Sequence, residues 1–280
     1  MARSGLFHHT LMTLWPLSRL AYWLGNRRML RPLSHVFLRA LDSEAIIIPV
    51  HETIADPESV VLPYPMLGSL VRSTETRFLM NHCMCRRGDN CQTYPQDFGC
   101  LYLGEGSTKI SPSMGRLVDE EEALAHIERG MRLGLVPLVV HTPFDALALG
   151  IPYRQMLGIC FCCDCCCTVR QGLRIGPPAF WDIVVRLPGL AVEVNGTCTG
   201  CGACLDACYV RAVSLKDGRA HIDQDLCKGC GRCLVVCPTG AIALRMDERV
   251  DPMGQLMQRV TRRTDIGLGN EGLSLTTVRE

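Results

Sequence analysis

The feature that most limits what this chain can become is a cysteine run that occurs twice. Cys198-Thr-Gly-Cys201-Gly-Ala-Cys204-Leu-Asp-Ala-Cys208 returns as Cys227-Lys-Gly-Cys230-Gly-Arg-Cys233-Leu-Val-Val-Cys237. The flanks repeat as well: Val192–Val194 before the first run answers Ala220–Ile222 before the second, and Ala212-Val213 after the first answers Ala241-Ile242 after the second. A repeat with matching flanks is stronger than either motif alone. Each run reads C-x2-C-x2-C-x3-C, so one tight loop offers three thiolates to one face of a cubane, while the fourth cysteine opens a helix and points elsewhere. Gly200, Gly202, Gly229 and Gly231 flank the ligands where the backbone must turn tightly and aim N–H groups at sulfur. Zinc knuckles are the competing reading, but they group ligands two plus two at longer separation.

Over residues 191–245 the chain resembles the bacterial two-[4Fe-4S] ferredoxins, with Pro238 after the last cysteine as that motif expects and Tyr209 in the equivalent place of the first run. The resemblance implies a pseudo-twofold βαββαβ fold and low-potential one-electron transfer. It also implies crossed ligand sets: Cys198, Cys201, Cys204 and Cys237 for one [4Fe-4S] cluster, and Cys227, Cys230, Cys233 and Cys208 for the other.

Ten of the 18 cysteines lie upstream, in two groups. The first is Cys83, Cys85, Cys91 and Cys100; the second is Cys160, Cys162, Cys163, Cys165, Cys166 and Cys167. Cys83 and Cys85 follow the strand-like segment Arg77–His82, and on a strand they would point to one side. Arg86 and Arg87 put positive charge beside them, which favours thiolate. Adjacent cysteines in the second group diverge, so only a subset can serve one metal. Three chemistries compete: a third iron–sulfur cluster, structural zinc, or a metal-free thiol/disulfide site. The combination of Cys83-Met-Cys85-Arg86, the Glu120–Leu135 segment and Ile159–Cys167 resembles a family of uncharacterised iron–sulfur proteins, over roughly 60–245. That resemblance implies an extra metal centre and no particular reaction.

So many cysteines also fit a secreted disulfide scaffold. Such scaffolds are short because staples replace a missing core; here 280 residues with a hydrophobic fraction of 48% can bury a core unaided. The N-terminus lacks a clean cleavage site, and Arg27 and Arg28 follow the apolar stretch rather than precede it. A reducing, cytoplasmic location is therefore expected. A net charge of +1 gives no reason to expect nucleic acid as a partner.

Residues 1–41 form a basic amphipathic helical region with no membrane-spanning run. Two placements are open to it: packed on this protein or a partner subunit, or attached peripherally to a membrane with arginines at the headgroups. Residues 42–190 read as a cysteine-rich mixed α/β domain. Ile46–Ile48 and Val136–Val140 are strands there, and a helix starts at the capping-box pair Asp119 and Glu122. Residues 246–280 read as a polar tail with a helix over Met253–Arg263 and a loose end. His82 and His141 are better read as hydrogen-bonded histidines than as ligands, and Asp89 and Asp97 as turn residues. No nucleotide-binding glycine motif and no haem-attachment motif is present.

The fold class expected is α+β, a cysteine-rich domain followed by a ferredoxin-like module. The function expected is electron transfer as a subunit or partner of a larger redox complex. An oxidoreductase with a substrate-binding cluster and a redox sensor stand as alternatives, and catalytic residues are not assigned.

Overall fold

The computed structural model describes residues 5–40, 42–49 and 63–268. Three helices come first: α1 (Gly5–Leu14), α2 (Leu17–Gly25) and α3 (Arg31–Ala40). The middle of the chain follows as β1 (Glu44–Ile47), α4 (Pro63–Arg72), β2 (Arg77–Met80), α5 (Met84–Gly88), β3 (Leu101–Leu103), β4 (Gly115–Leu117), α6 (Glu120–Arg132), β5 (Val136–His141), α7 (Pro143–Leu149), β6 (Leu157–Cys162), α8 (Thr168–Ile175), α9 (Phe180–Ile183) and β7 (Val184–Arg186). The last part is β8 (Leu190–Val194), α10 (Ala203–Ala207), β9 (Val213–Lys216), β10 (Arg219–Ile222), α11 (Arg232–Val235), β11 (Ile242–Met246) and α12 (Pro252–Arg263). The fold is mixed α and β.

Local chemistry explains several of these elements. The Asp119 carboxylate accepts from the Glu122 backbone N–H at 2.8 Å and starts α6. Glu122 does not reach back to complete a capping box; its carboxylate pairs with Arg116. Thr142, Pro143 and Gly150 bracket α7, with the Thr142 hydroxyl capping, proline in the first turn and Gly150 left-handed at φ 72°.

Seven strands form one sheet in the order β4-β2-β3-β6-β5-β1-β7. All its pairings are antiparallel except β1 with β7. Side chains alternate across it. Ile46, Val139, Ile159 and Leu101 share one face, packed with Ala123 and Ile127 of α6 and with Leu256 and Val260 of α12. The register puts Ala45, Val140, Tyr102, Cys160 and Cys162 on the other face. Above that face lie the N-terminal helices. Trp15 is buried against Met80, Met84 and Tyr102, Tyr22 meets Phe180 edge-on at 5.4 Å, and Arg19 pairs with Asp89 at 2.7 Å. Asp89 is thus an ion-pair partner and not merely a turn residue.

Two sequence expectations change. Cys83 and Cys85 do not lie on a strand: β2 ends at Met80, Cys83 is the residue before α5, and Cys85 lies inside it. The segment after β11 is more than a polar tail, because α12 buries Met253, Leu256, Met257 and Val260. Arg259 and Arg263 reach Glu44 at 2.8 and 3.4 Å, so the helix is bolted to β1. Residues 269–280, expected to be loose, lie outside the described residues.

Candidate metal centres

From β8 to β11 the element order is β-α-β-β-α-β. β8 pairs with β11 and β9 with β10, both antiparallel. Each helix is preceded by a cysteine loop whose glycines have positive φ: 68° at Gly200, 82° at Gly202, 67° at Gly229 and 79° at Gly231. A side chain at Gly200 would collide with the Gly218 carbonyl oxygen, so that loop is closed to other residues. Two small clefts result. Cys198, Cys201, Cys204 and Cys237 line one; Cys208, Cys227, Cys230 and Cys233 line the other. Backbone N–H groups donate to sulfur in both. Ala220 reaches Cys198 at 3.4 Å and Ala241 reaches Cys237 at 3.3 Å in the first; Ala212 reaches Cys208 at 3.2 Å and Gly229 reaches Cys227 at 3.4 Å in the second. Donors aimed at sulfur stabilise thiolate, the form that binds iron. The donor sets therefore fit [4Fe-4S] clusters, with the fourth cysteine of each run facing the other run's loop.

None of the 18 cysteines is paired in a disulfide. The upstream ten separate into four and six. Cys91, Cys163, Cys165 and Cys166 converge with every sulfur within 4.8 Å of the others, and Cys91 and Cys165 are 3.5 Å apart. A tetrahedral ion with sulfur bonds of about 2.3 Å places its ligands roughly 3.8 Å apart. A cubane holds its thiolates wider, because four irons and four sulfides stand between them. This site thus has the dimensions of a single ion. The Tyr94 N–H donates to Cys91 at 3.5 Å and the Cys166 N–H to Cys163 at 3.3 Å.

The other six, Cys83, Cys85, Cys100, Cys160, Cys162 and Cys167, line a cavity of about 430 Å³ between the sheet and the N-terminal helices; Cys163 of the compact site also borders it. Cys160 and Cys162 reach it because they are two apart on β6, Cys100 from just before β3, Cys83 from just before α5 and Cys85 from within it, and Cys167 from just before α8. Within the group, hydrogen bonds from Cys100 and Cys85, helped by Arg86, hold Cys83 well below the usual thiol range. A hydrogen bond from Cys162, helped by Arg170, lowers Cys167. Cys100 is pushed up, chiefly as donor to Cys160 and Cys83. The Thr168 hydroxyl donates to Cys85 at 3.3 Å. Asp145, beneath this group, is lifted to about 7 by burial, against the Tyr102 hydroxyl bonded to it.

Two buried arginines serve these sulfurs. Arg86 donates to the carbonyls of Pro95 at 2.8 Å, Phe161 at 2.7 Å and Phe98. The sequence had placed Arg86 beside thiols; Arg87, its neighbour, instead meets the His82 Nδ1 at 3.3 Å. Arg170 was not singled out by sequence. Its usable signal was a spacing: it lies three residues beyond Cys167, one turn into α8. His141 is held by the Tyr153 carbonyl at 2.9 Å, a structural role.

The 4Fe-4S dicluster domain family matches residues 197–241. The chain thus contains an iron–sulfur, ferredoxin-like domain, and electron transfer is the chemistry such a domain supplies. The match does not extend to the upstream cysteines. No curated protein and no solved structure matches the chain.

Proposed function

We propose that this protein is an electron-transfer component of a larger redox complex, with two [4Fe-4S] clusters in its ferredoxin-like module and a separate metal centre in the middle domain. The observation that carries this reading is the pair of clefts, each lined by three cysteines of one run and the fourth of the other. Two clusters sharing crossed ligands lie close enough for one-electron exchange. The compact site of Cys91, Cys163, Cys165 and Cys166 is the middle-domain centre, and its sulfur spacing favours structural zinc.

Protein purified without oxygen should hold about eight irons that depend on the ferredoxin cysteines, with one zinc that does not. Cys198→Ser and Cys227→Ser should each disturb one of two interacting [4Fe-4S] EPR signals. Retention of all iron in the double variant would overturn the reading.

Peripheral membrane attachment through residues 1–41 belongs to the same proposal. Among the described residues no helix is long and apolar enough to cross a membrane. Leu17, Leu20 and Trp23 of α2 and Leu33, Val36 and Phe37 of α3 remain exposed, with Arg27 and Arg28 in the connection between the two helices. An apolar face beside arginines suits a headgroup boundary. Binding to anionic liposomes should disappear when residues 1–41 are removed; unchanged binding would refute the attachment.

A further inference from the structure

The six cysteines around the large cavity are surplus to the function proposed above, and they are not arranged as spare thiols. They come from four places in the chain and line one cavity, which Cys163 of the compact site also borders. That space, at about 430 Å³, is far larger than the roughly 30 Å³ share of a water molecule or the site of a single ion. Among the described residues the protein shows no disulfide between them.

The second observation is independent of the thiols. Arg170 is 1% exposed, and none of its three guanidinium nitrogens has a hydrogen-bond partner. Its guanidinium carbon lies 4.4 Å from the centre of the Tyr209 ring, whose hydroxyl is also without a partner. An arginine stays charged wherever it is put, and an unpaired buried charge is strongly destabilising. Burial works against its charge; the groups that would favour it, if ionised, are the Tyr209 phenol and the sulfurs of Cys230 in the ferredoxin module and of Cys167 and Cys162 at the cavity. Neutral thiols would leave this cation uncompensated. Thiolates ligating a cluster would compensate it from both sides, since a cluster with its thiolates carries net negative charge.

We propose that Cys83, Cys85, Cys100, Cys160, Cys162 and Cys167 form an iron–sulfur centre of at least four irons, distinct from the single-ion site and from the ferredoxin clusters, with Arg170 lying between it and the cluster at Cys230. Six thiolates exceed the four terminal positions of one cubane, so the centre is larger than a cubane and uses all six as ligands. Arg86 supplies positive charge on the Cys83 side, fixed there by three carbonyls. Arg170 is a positioning and charge-compensating residue, not a ligand. The existence of the centre stands on the cavity and Arg170 alone. Its place at the end of the relay rests on the ferredoxin reading: one electron, supplied to the module by an external low-potential donor protein, leaves the ferredoxin cluster as it is reoxidised. It arrives on the cavity centre, which is reduced by one, and no bond is made or broken.

The test uses the full chain purified without oxygen, with iron, sulfide and zinc counted and EPR and Mössbauer spectra recorded. The C83S/C100S variant should lose about four irons or more while keeping zinc and the paired ferredoxin EPR signals. Arg170→Gln should keep all its iron but shift the midpoint potential of the cavity centre downwards, because removing a cation disfavours the more negative reduced state. Should C83S/C100S fold poorly, the wild-type protein still decides: the six thiols should resist alkylation until iron is chelated. The proposal falls if the double variant keeps all its iron, or if the six thiols alkylate in the iron-loaded protein. Loss of the ferredoxin signals in the wild type would instead sink the electron-transfer reading and leave the cavity centre to be judged by its own iron.

Discussion

His126 shows how a single residue ties stability to pH. Its ring stacks on Phe98 with centroids 3.9 Å apart, and its Nε2–H donates to the Gly99 carbonyl at 2.9 Å. Burial holds its pKa down at about 4, against an ordinary value of 6.5. Below pH 6.5 the unfolded chain takes up a proton that the folded ring refuses. Stability is therefore complete above that pH and falls as the pH drops towards 4, by on the order of 2 kcal/mol after allowing for partial exposure. His126→Gln should flatten this slope. The gap between wild-type and variant urea midpoints at pH 7 should change at pH 5, with the wild type losing more; parallel shifts would contradict the account. At this scale much was legible in the sequence. The two cysteine runs announce themselves because their spacing is local, while their crossed grouping joins residues of different runs and is implied only by the resemblance. Cys83 and Cys85 misled, since a two-residue spacing suits a strand as well as a residue before a helix and one within it. Arg170 was hidden because nothing local marks an arginine that faces sulfurs from another part of the chain.

Helices α6 and α12 carry the testable energetics of whole elements. The Asp119 cap accepts from the Glu122 N–H at 2.8 Å. Asp119→Ala should cost about 1 kcal/mol, read as a lower urea midpoint with an unchanged slope. Leu256 of α12 is fully buried against the sheet. Leu256→Ala should cost about 2–5 kcal/mol, because the rigid sheet beneath cannot collapse into the gap. A loss below about 0.5 kcal/mol, the level of an ordinary surface change, would mean that the helix is not docked as described. The apolar spacing of α6, and the strands at Ile46 and Val136, could be read from the sequence, whereas α12 was legible as a helix but not as one with a buried face. Docking could not. Nothing in Met253–Arg263 says that Arg259 will meet Glu44, a partner more than two hundred positions away. Strand order was equally opaque, because β1 pairs with β5 and β7 rather than with its neighbours in sequence.

Across the whole molecule, the N-terminal helices close the cavity that the sheet and α5 leave open. Leu11, Trp15, Tyr22 and Leu38 all contribute to its wall. Removing residues 1–41 should leave the ferredoxin EPR signals intact yet let iodoacetamide reach the cavity cysteines faster than in the whole chain once iron has been chelated. An unchanged rate in the truncated protein would show that the helices are not the cover.

One contact joins the ferredoxin module to the loop of the compact site. Arg232, one residue before Cys233, donates to the Asp164 carboxylate at 2.7 Å, the Gly134 carbonyl at 3.1 Å and the Tyr94 hydroxyl at 3.5 Å. Asp164 sits between Cys163 and Cys165, and the Tyr94 N–H bonds Cys91. The socket for Arg232 is therefore shaped by the same loops that gather the four sulfurs. On the proposed reading this sets an order of assembly: an ion held by the compact site would prepare the landing place, and the module that follows it in the chain would settle onto it. Pulsed hydrogen exchange during refolding should then show β8–β11 becoming protected late, and later still when zinc is withheld. Protection at the same moment with and without zinc would mean that the two halves mature independently.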